Sequence, residues 1–189
     1  MIADRIDAEL RRAGTSERAA REKRCLKSEL QHYGVTVWAI RRIVKAALAE
    51  ETGVDRSTLV AAVESLWGRG IHDCRMAVEL LDFRGDMLEP RDLELVERLI
   101  RESKTWALVD GLAASVAGGL VERHPELAPA LDRWAADEDF WVRRSALLAL
   151  LGPIAASSVL TGVSWVLEAR SPALTGPRWV TCLLPSTGA

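Results

Sequence analysis

The sequence is poor in cysteine, tyrosine, phenylalanine and lysine. Its 189 residues include three Cys, one Tyr and two Phe. Cys25, Cys74 and Cys182 are widely spaced and form no C-x-x-C pair, a pattern that suits reduced thiols and supplies no zinc-binding cysteine set. The histidines, His32, His72 and His124, stand apart from one another and from the cysteines in sequence, so no metal site is expected. No segment joins 18 or more consecutive apolar residues to membrane flanks, which argues against a transmembrane span. Met1 to Arg12 is a charged amphipathic stretch without the apolar core of a secretory signal. These absences point to a cytoplasmic protein that does not enter membranes. Neither sign of charge dominates: 25 Lys and Arg oppose 27 Asp and Glu, a formal net charge of −2. That excludes a histone-like polycation and still permits a basic groove on an acidic surface. Lysine is outnumbered by arginine, 4 to 21. The arginine fork suits phosphate, although genomic base composition gives the same bias.

Tryptophan is the residue in excess, with seven copies. Each indole N–H needs a partner when buried, so Trp is an expensive core filler. The periodicity is helical almost throughout and alternating strand patterns are absent, which sets an all-α class. Charged amphipathic stretches are broken at Gly14-Thr15-Ser16 and at Gly34. Thr36 and Asp55 are positioned to cap helices, and Gly68 and Gly70 to end one. His72 to Phe83 reads as a single helix. Further helices are expected from Asp92, from the Ser103/Thr105 region to about Val121, from His124 to about Ala136, and from Asp137/Asp139 to about Leu151. Helix pairs of roughly 35–45 residues either close into a bundle or stack as an α-solenoid. Composition shifts after residue 153: from 154 to 189 the only charged residues are Glu168, Arg170 and Arg178. The chain therefore divides into a helical domain, 1–153, and a C-terminal segment, 154–189, of at most one helix and a tail.

Two stretches can carry chemistry. In Lys104-Thr-Trp106-Ala-Leu-Val-Asp110, Trp106 and Asp110 are four apart and share a helix face. Ala113, Ala114, Ala117 and Gly118-Gly119 follow, small enough for close helix approach or for a ligand. In Phe140-Trp141-Val-Arg143-Arg144, Arg144 falls on a stripe with Phe140, Leu147 and Leu151. An arginine on an apolar stripe needs a carboxylate or a phosphate. A plain structural reading has Trp106 in the core and Arg144 bridged to Asp110. A chemical reading has indole and carboxylate receiving a cation, since an indole face attracts positive charge and a carboxylate stabilises it as it develops. Spacing alone does not choose between them.

The run Ser103-Lys-Thr-Trp106-Ala-Leu-Val-Asp110, followed by His124-Pro-Glu-Leu127, Trp134 and Phe140-Trp141-Val-Arg143-Arg144, resembles the HEAT-like-repeat DNA alkylation repair glycosylases. Leu26-Lys-Ser-Glu-Leu-Gln-His-Tyr-Gly34-Val and Leu66-Trp67 before the His72 helix fit the same pattern. The similarity covers roughly residues 18 to 152. It implies an α-solenoid of HEAT-like antiparallel helix pairs curved around double-stranded DNA. The implied activity is hydrolysis of the N-glycosidic bond of cationic N3- or N7-alkylpurines by a monomer without cofactor. By position, Trp106 would contact the lesion's deoxyribose, Asp110 would stabilise the oxocarbenium and place water, and Arg144 would hold the site and a backbone phosphate. Arg41, Arg42, Lys45, Lys27, Arg143 and Trp165 would contact DNA, and Arg18, Arg21, Lys23 and Arg24 could add to a basic face. Trp38, Trp67, Trp134 and Trp141 are expected to pack.

Two features depart from the family. Cys25 stands where relatives commonly carry Tyr. Gly162-Val-Ser-Trp165-Val-Leu-Glu-Ala resembles the family's Gly-Trp-Val-Leu-Arg helix but follows Arg144 about one helix too soon, so the C-terminal helices are expected to be truncated or replaced. The reading set against a glycosylase is a catalytically silent HEAT-like module that binds DNA or protein.

Overall fold

The computed structural model describes residues 1–151. The segment 154–189, with Trp165, lies outside the described residues. Within them the fold is helical and contains no strand: α1 (Ile2–Ala13), α2 (Ser16–Leu26), α3 (Val37–Glu50), α4 (Arg56–Trp67), α5 (His72–Met76), α6 (Glu79–Phe83), α7 (Asp92–Ser103), α8 (Trp106–Gly111), α9 (Gly118–Arg123), α10 (Ala128–Ala135) and α11 (Phe140–Leu148). No described helix is long and apolar enough to cross a membrane.

The expected caps form. Thr36 accepts from the Ala39 amide at 3.2 Å, and Asp55 from Thr58 at 2.7 Å. Asp139 Oδ1 accepts from Trp141 at 2.7 Å and opens α11. The one helix expected from His72 to Phe83 is instead two. Between Met76 and Glu79 the bonding switches to i→i−3, with Ala77 N to Cys74 O at 3.1 Å and Val78 N to Arg75 O at 3.1 Å. A tighter turn advances the side chains further per residue, and Leu80 and Leu81 both become fully buried. In the other direction, α8 and α9 are joined by a π-helical turn, Leu112–Ala117, so Trp106 to Arg123 is continuous.

α1 packs on α3 and α4, α3 on α6, α7 on α8 and the π turn, and α11 on α7, α8, the π turn and α10. One apolar cluster runs through all of them, from Ile6 and Leu10 through Leu59, Leu66, Leu80 and Leu99 to Leu112, Val142 and Ala146. Gly34 (φ +79°) lets the chain return across the α1–α2 turn, because a Cβ there would sit 2.3 Å from the Thr15 carbonyl oxygen.

Two tryptophans meet the packing expectation, and their indole N–H groups are satisfied from α7. Trp67 Nε1 donates to Glu102 at 2.6 Å and Trp134 Nε1 to Glu97 at 2.7 Å. Arg101 holds Glu97 at 2.6 Å and Asp137 at 2.6 Å, which ties α7 to the loop before α11. Trp141 is half-buried against the core. Trp38 does not pack: it is 70% exposed, with the Arg42 guanidinium 5.0 Å from its ring centre. The expectation of reduced thiols is met at Cys74, which is free and buried, and not at Cys25, which is not free.

Replacing Glu97 by Ala leaves the buried Trp134 N–H without its acceptor. Chemical denaturation of Glu97→Ala should show a loss of about 1–3 kcal/mol with an unchanged denaturant slope. Exposed Glu94→Ala on the same helix should change stability by less than about 0.5 kcal/mol.

Candidate active site

Two of the side chains singled out in sequence, Asp110 and Arg144, meet from two helices. α8 follows Thr105, whose backbone is extended, and carries Trp106 and Asp110 one turn apart. α11 carries Arg144. The guanidinium meets the carboxylate in a two-pronged bond, Nε to Oδ1 at 2.8 Å and Nη2 to Oδ2 at 2.8 Å. The Asp110 hydrogen bond is the main reason the Arg144 pKa lies above its ordinary value. Both side chains remain partly open to solvent, Arg144 at 27% and Asp110 at 36% exposure. Trp106 is half-buried. A planar fork aligned with a carboxylate fixes orientation as well as distance.

The continuous 106–123 helix approaches α11 closely at Gly118. A Cβ on Gly118 would lie 2.8 Å from the Ala149 carbonyl oxygen at the end of α11. Gly118 therefore serves helix contact, and no ligand space opens there. The stripe assigned to Arg144 is not core. Phe140 is 37% and Leu151 54% exposed, and the buried face of α11 is Val142, Ser145 and Ala146.

The other arginines differ in availability. Arg143 turns back on the loop before its own helix, donating to the carbonyls of Asp137 at 2.6 Å and Glu138 at 2.8 Å. Arg41 is bound to Glu79 and, at 3.1 Å, to Asp82, and it covers the Phe83 ring. Arg42, Lys45 and Lys27 are exposed. Lys27 ends α2 in the left-handed conformation, φ 49°. Trp165 lies outside the described residues.

The family model for DNA alkylation repair enzymes matches residues 6–171, nearly the whole chain and more than the 18–152 legible from motifs. The chain belongs to the DNA alkylation repair enzyme family. No curated protein matches it at a significant level. In this DNA alkylation repair enzyme family member the match takes in Asp110 and Arg144 and reaches past the Gly162–Trp165 stretch. Sequence reading missed the exposure of Trp38 and the histidine pair described below. Solvation of one helix residue and contacts 40 positions apart leave no local pattern.

The Gly118 contact yields a direct test. Gly118→Ala should destabilise the protein by about 1–3 kcal/mol through overpacking, read by thermal or chemical denaturation. Gly119→Ala, whose Cβ would meet only the end of the Arg123 side chain, should be tolerated.

Proposed function

We propose that this DNA alkylation repair enzyme is a monofunctional DNA glycosylase that releases cationic N3- and N7-alkylpurines from duplex DNA. The observation that carries the reading is the two-pronged Arg144–Asp110 pair, one helical turn from Trp106 on a half-exposed surface. The HEAT-like helix pairs stack as an α-solenoid, and the protein works as a cytoplasmic monomer on double-stranded DNA without metal or organic cofactor in the reaction.

An alkylpurine with a formal positive charge leaves as a neutral base, taking the electron pair of the N-glycosidic bond. The deoxyribose passes through an oxocarbenium-like state, and water adds at C1′ with loss of its proton. Asp110 faces the developing positive charge and orients that water. This is stabilisation aimed at charge that appears only in the transition state. Arg144 holds the carboxylate in place and adds a contact to a backbone phosphate. Trp106 packs against the lesion's deoxyribose. Arg42, Lys45 and Lys27 supply phosphate contacts, with Arg42 and the exposed Trp38 ring forming one surface. Arg41 and Arg143 reach DNA only by giving up their present partners, and a DNA contact by Trp165, outside the described residues, rests on the resemblance alone.

A second reading, a silent DNA- or protein-binding module, is favoured by one observation: both Asp110 oxygens already accept from Arg144. Incubation with methylated duplex DNA separates the two. Free N3- or N7-alkylpurine should accumulate, and Asp110→Asn should slow release by about 100-fold or more. DNA binding without release at high protein concentration would select the silent module. Affinity should also fall steeply with salt as phosphate counterions are displaced, and Lys45→Ala should lower the salt slope by about one.

A further inference from the structure

The expectation of no metal site rested on histidines isolated in sequence, and the fold removes that isolation. A single parallel β-bridge registers Gln31 with Ile71, through Gln31 N to Gly70 O at 3.3 Å and His72 N to Gln31 O at 2.8 Å. The next residue on each segment is a histidine. Asp73, fully buried, fixes the first segment by accepting from the Tyr33 amide at 2.7 Å and the Val35 amide at 2.8 Å. His32 and His72 therefore stack, ring centres 4.4 Å apart and planes 12° from parallel. Glu22 reaches them from α2, with Oε2 3.7 Å from His32 Nδ1.

The nitrogens of this pair are what the packing fails to explain. The His32 side chain is 1% exposed, and neither of its ring nitrogens has a hydrogen-bond partner. Nε2 of buried His72 has none either. Leaving a buried polar atom unpaired costs about 1–3 kcal/mol, and such atoms in a native fold call for a ligand, ion or water.

Each of the three residues offers one ligand atom, and these atoms lie within 4.8 Å of one another. An ion bound at about 2.0–2.2 Å bridges ligands up to about 4.4 Å apart, so small ring rotations close the gap. The rotations are also needed to turn the in-plane lone pairs of the stacked rings towards one point. Arg18 Nε lies 2.6 Å from Glu22 Oε1, which steadies the carboxylate and leaves Oε2 directed to the rings.

We propose that Glu22, His32 and His72 bind one divalent cation of the zinc type, clamping α2 and the following loop to the start of α5. Two imidazoles and one carboxylate suit borderline ions such as Zn²⁺ and Co²⁺ over Mg²⁺ or Ca²⁺, which prefer all-oxygen shells. The site is built from elements other than α8 and α11, so it stands or falls independently of the glycosylase reading.

The test uses the untagged full chain, stripped with chelator and titrated with Co²⁺ and then Zn²⁺. One equivalent of Co²⁺ should give visible d–d absorption that Zn²⁺ abolishes, and Zn²⁺ should raise the denaturation midpoint. His32→Ala and His72→Ala should each weaken binding by about 100-fold or more, and partly exposed Glu22→Gln, the variant least disturbing to the fold, by about tenfold or more. His124→Ala, which removes the remaining histidine, should leave binding unchanged. Absence of Co²⁺ and Zn²⁺ uptake by the unmodified chain at micromolar concentrations would overturn the proposal. So would equal uptake by Glu22→Gln and by whichever histidine variants fold.

Discussion

Carboxylates that reach from one short helix to a donor on another hold the described residues together. Helices of five to fourteen residues are marginal on their own in water, and several here are at the short end of that range. α7 concentrates the effect. Its Glu102 binds the Trp67 indole of α4, its Glu97 the Trp134 indole of α10, and its Arg101 the Asp137 carboxylate before α11. Asp92, at the start of the same helix, takes Arg56 of α4 in a two-pronged bond. In the N-terminal half Asp7 joins Tyr33 at 2.9 Å and Arg69 at 2.8 Å, while Asp73 holds the 31–35 loop. These bonds tie α7 to α4, α10 and the loop before α11, and tie α1 and α5 to the 31–35 loop.

The Asp110–Arg144 pair has the same geometry in a different setting. Exposed ion pairs contribute little to stability, about 0–1 kcal/mol, and both partners here are partly open to solvent. A pair of that kind aligns a carboxylate without hiding it. Further along the continuous 106–123 helix, at Gly118, hydrogen in place of a methyl group lets α11 approach. The carboxylate itself stays partly open to solvent.

Local signals in the chain were enough for the helices whose ends are set by local chemistry. Thr36, Asp55 and Asp139 each bond an amide two or three residues on, so their caps are visible without tertiary information. The i, i+4 spacing of Trp106 and Asp110 placed both on one helix, and the need of Arg144 for an anion pointed to its partner. Burial was less legible. Trp38 looks like a core residue by type but lies on the solvent side of α3. The break at Ala77–Val78 and the π turn at Leu112–Ala117 arise where helical bonding yields to packing, and helical periodicity passes over both. The histidine pair depends on a backbone bridge between residues 40 apart, which no spacing rule registers.

The central claim, that Asp110 acts chemically and Arg144 acts through it, is tested most directly by a double-mutant cycle on single-turnover base release. The substrate is a duplex carrying one N7-methylguanine, and the variants are Asp110→Asn, Arg144→Gln and the two combined. The account predicts that at saturating protein, where the phosphate contact of Arg144 no longer limits binding, the double variant is no slower than Asp110→Asn alone, because the carboxylate through which Arg144 acts on the chemical step is gone. Full activity in Asp110→Asn, or losses that simply multiply, would contradict it.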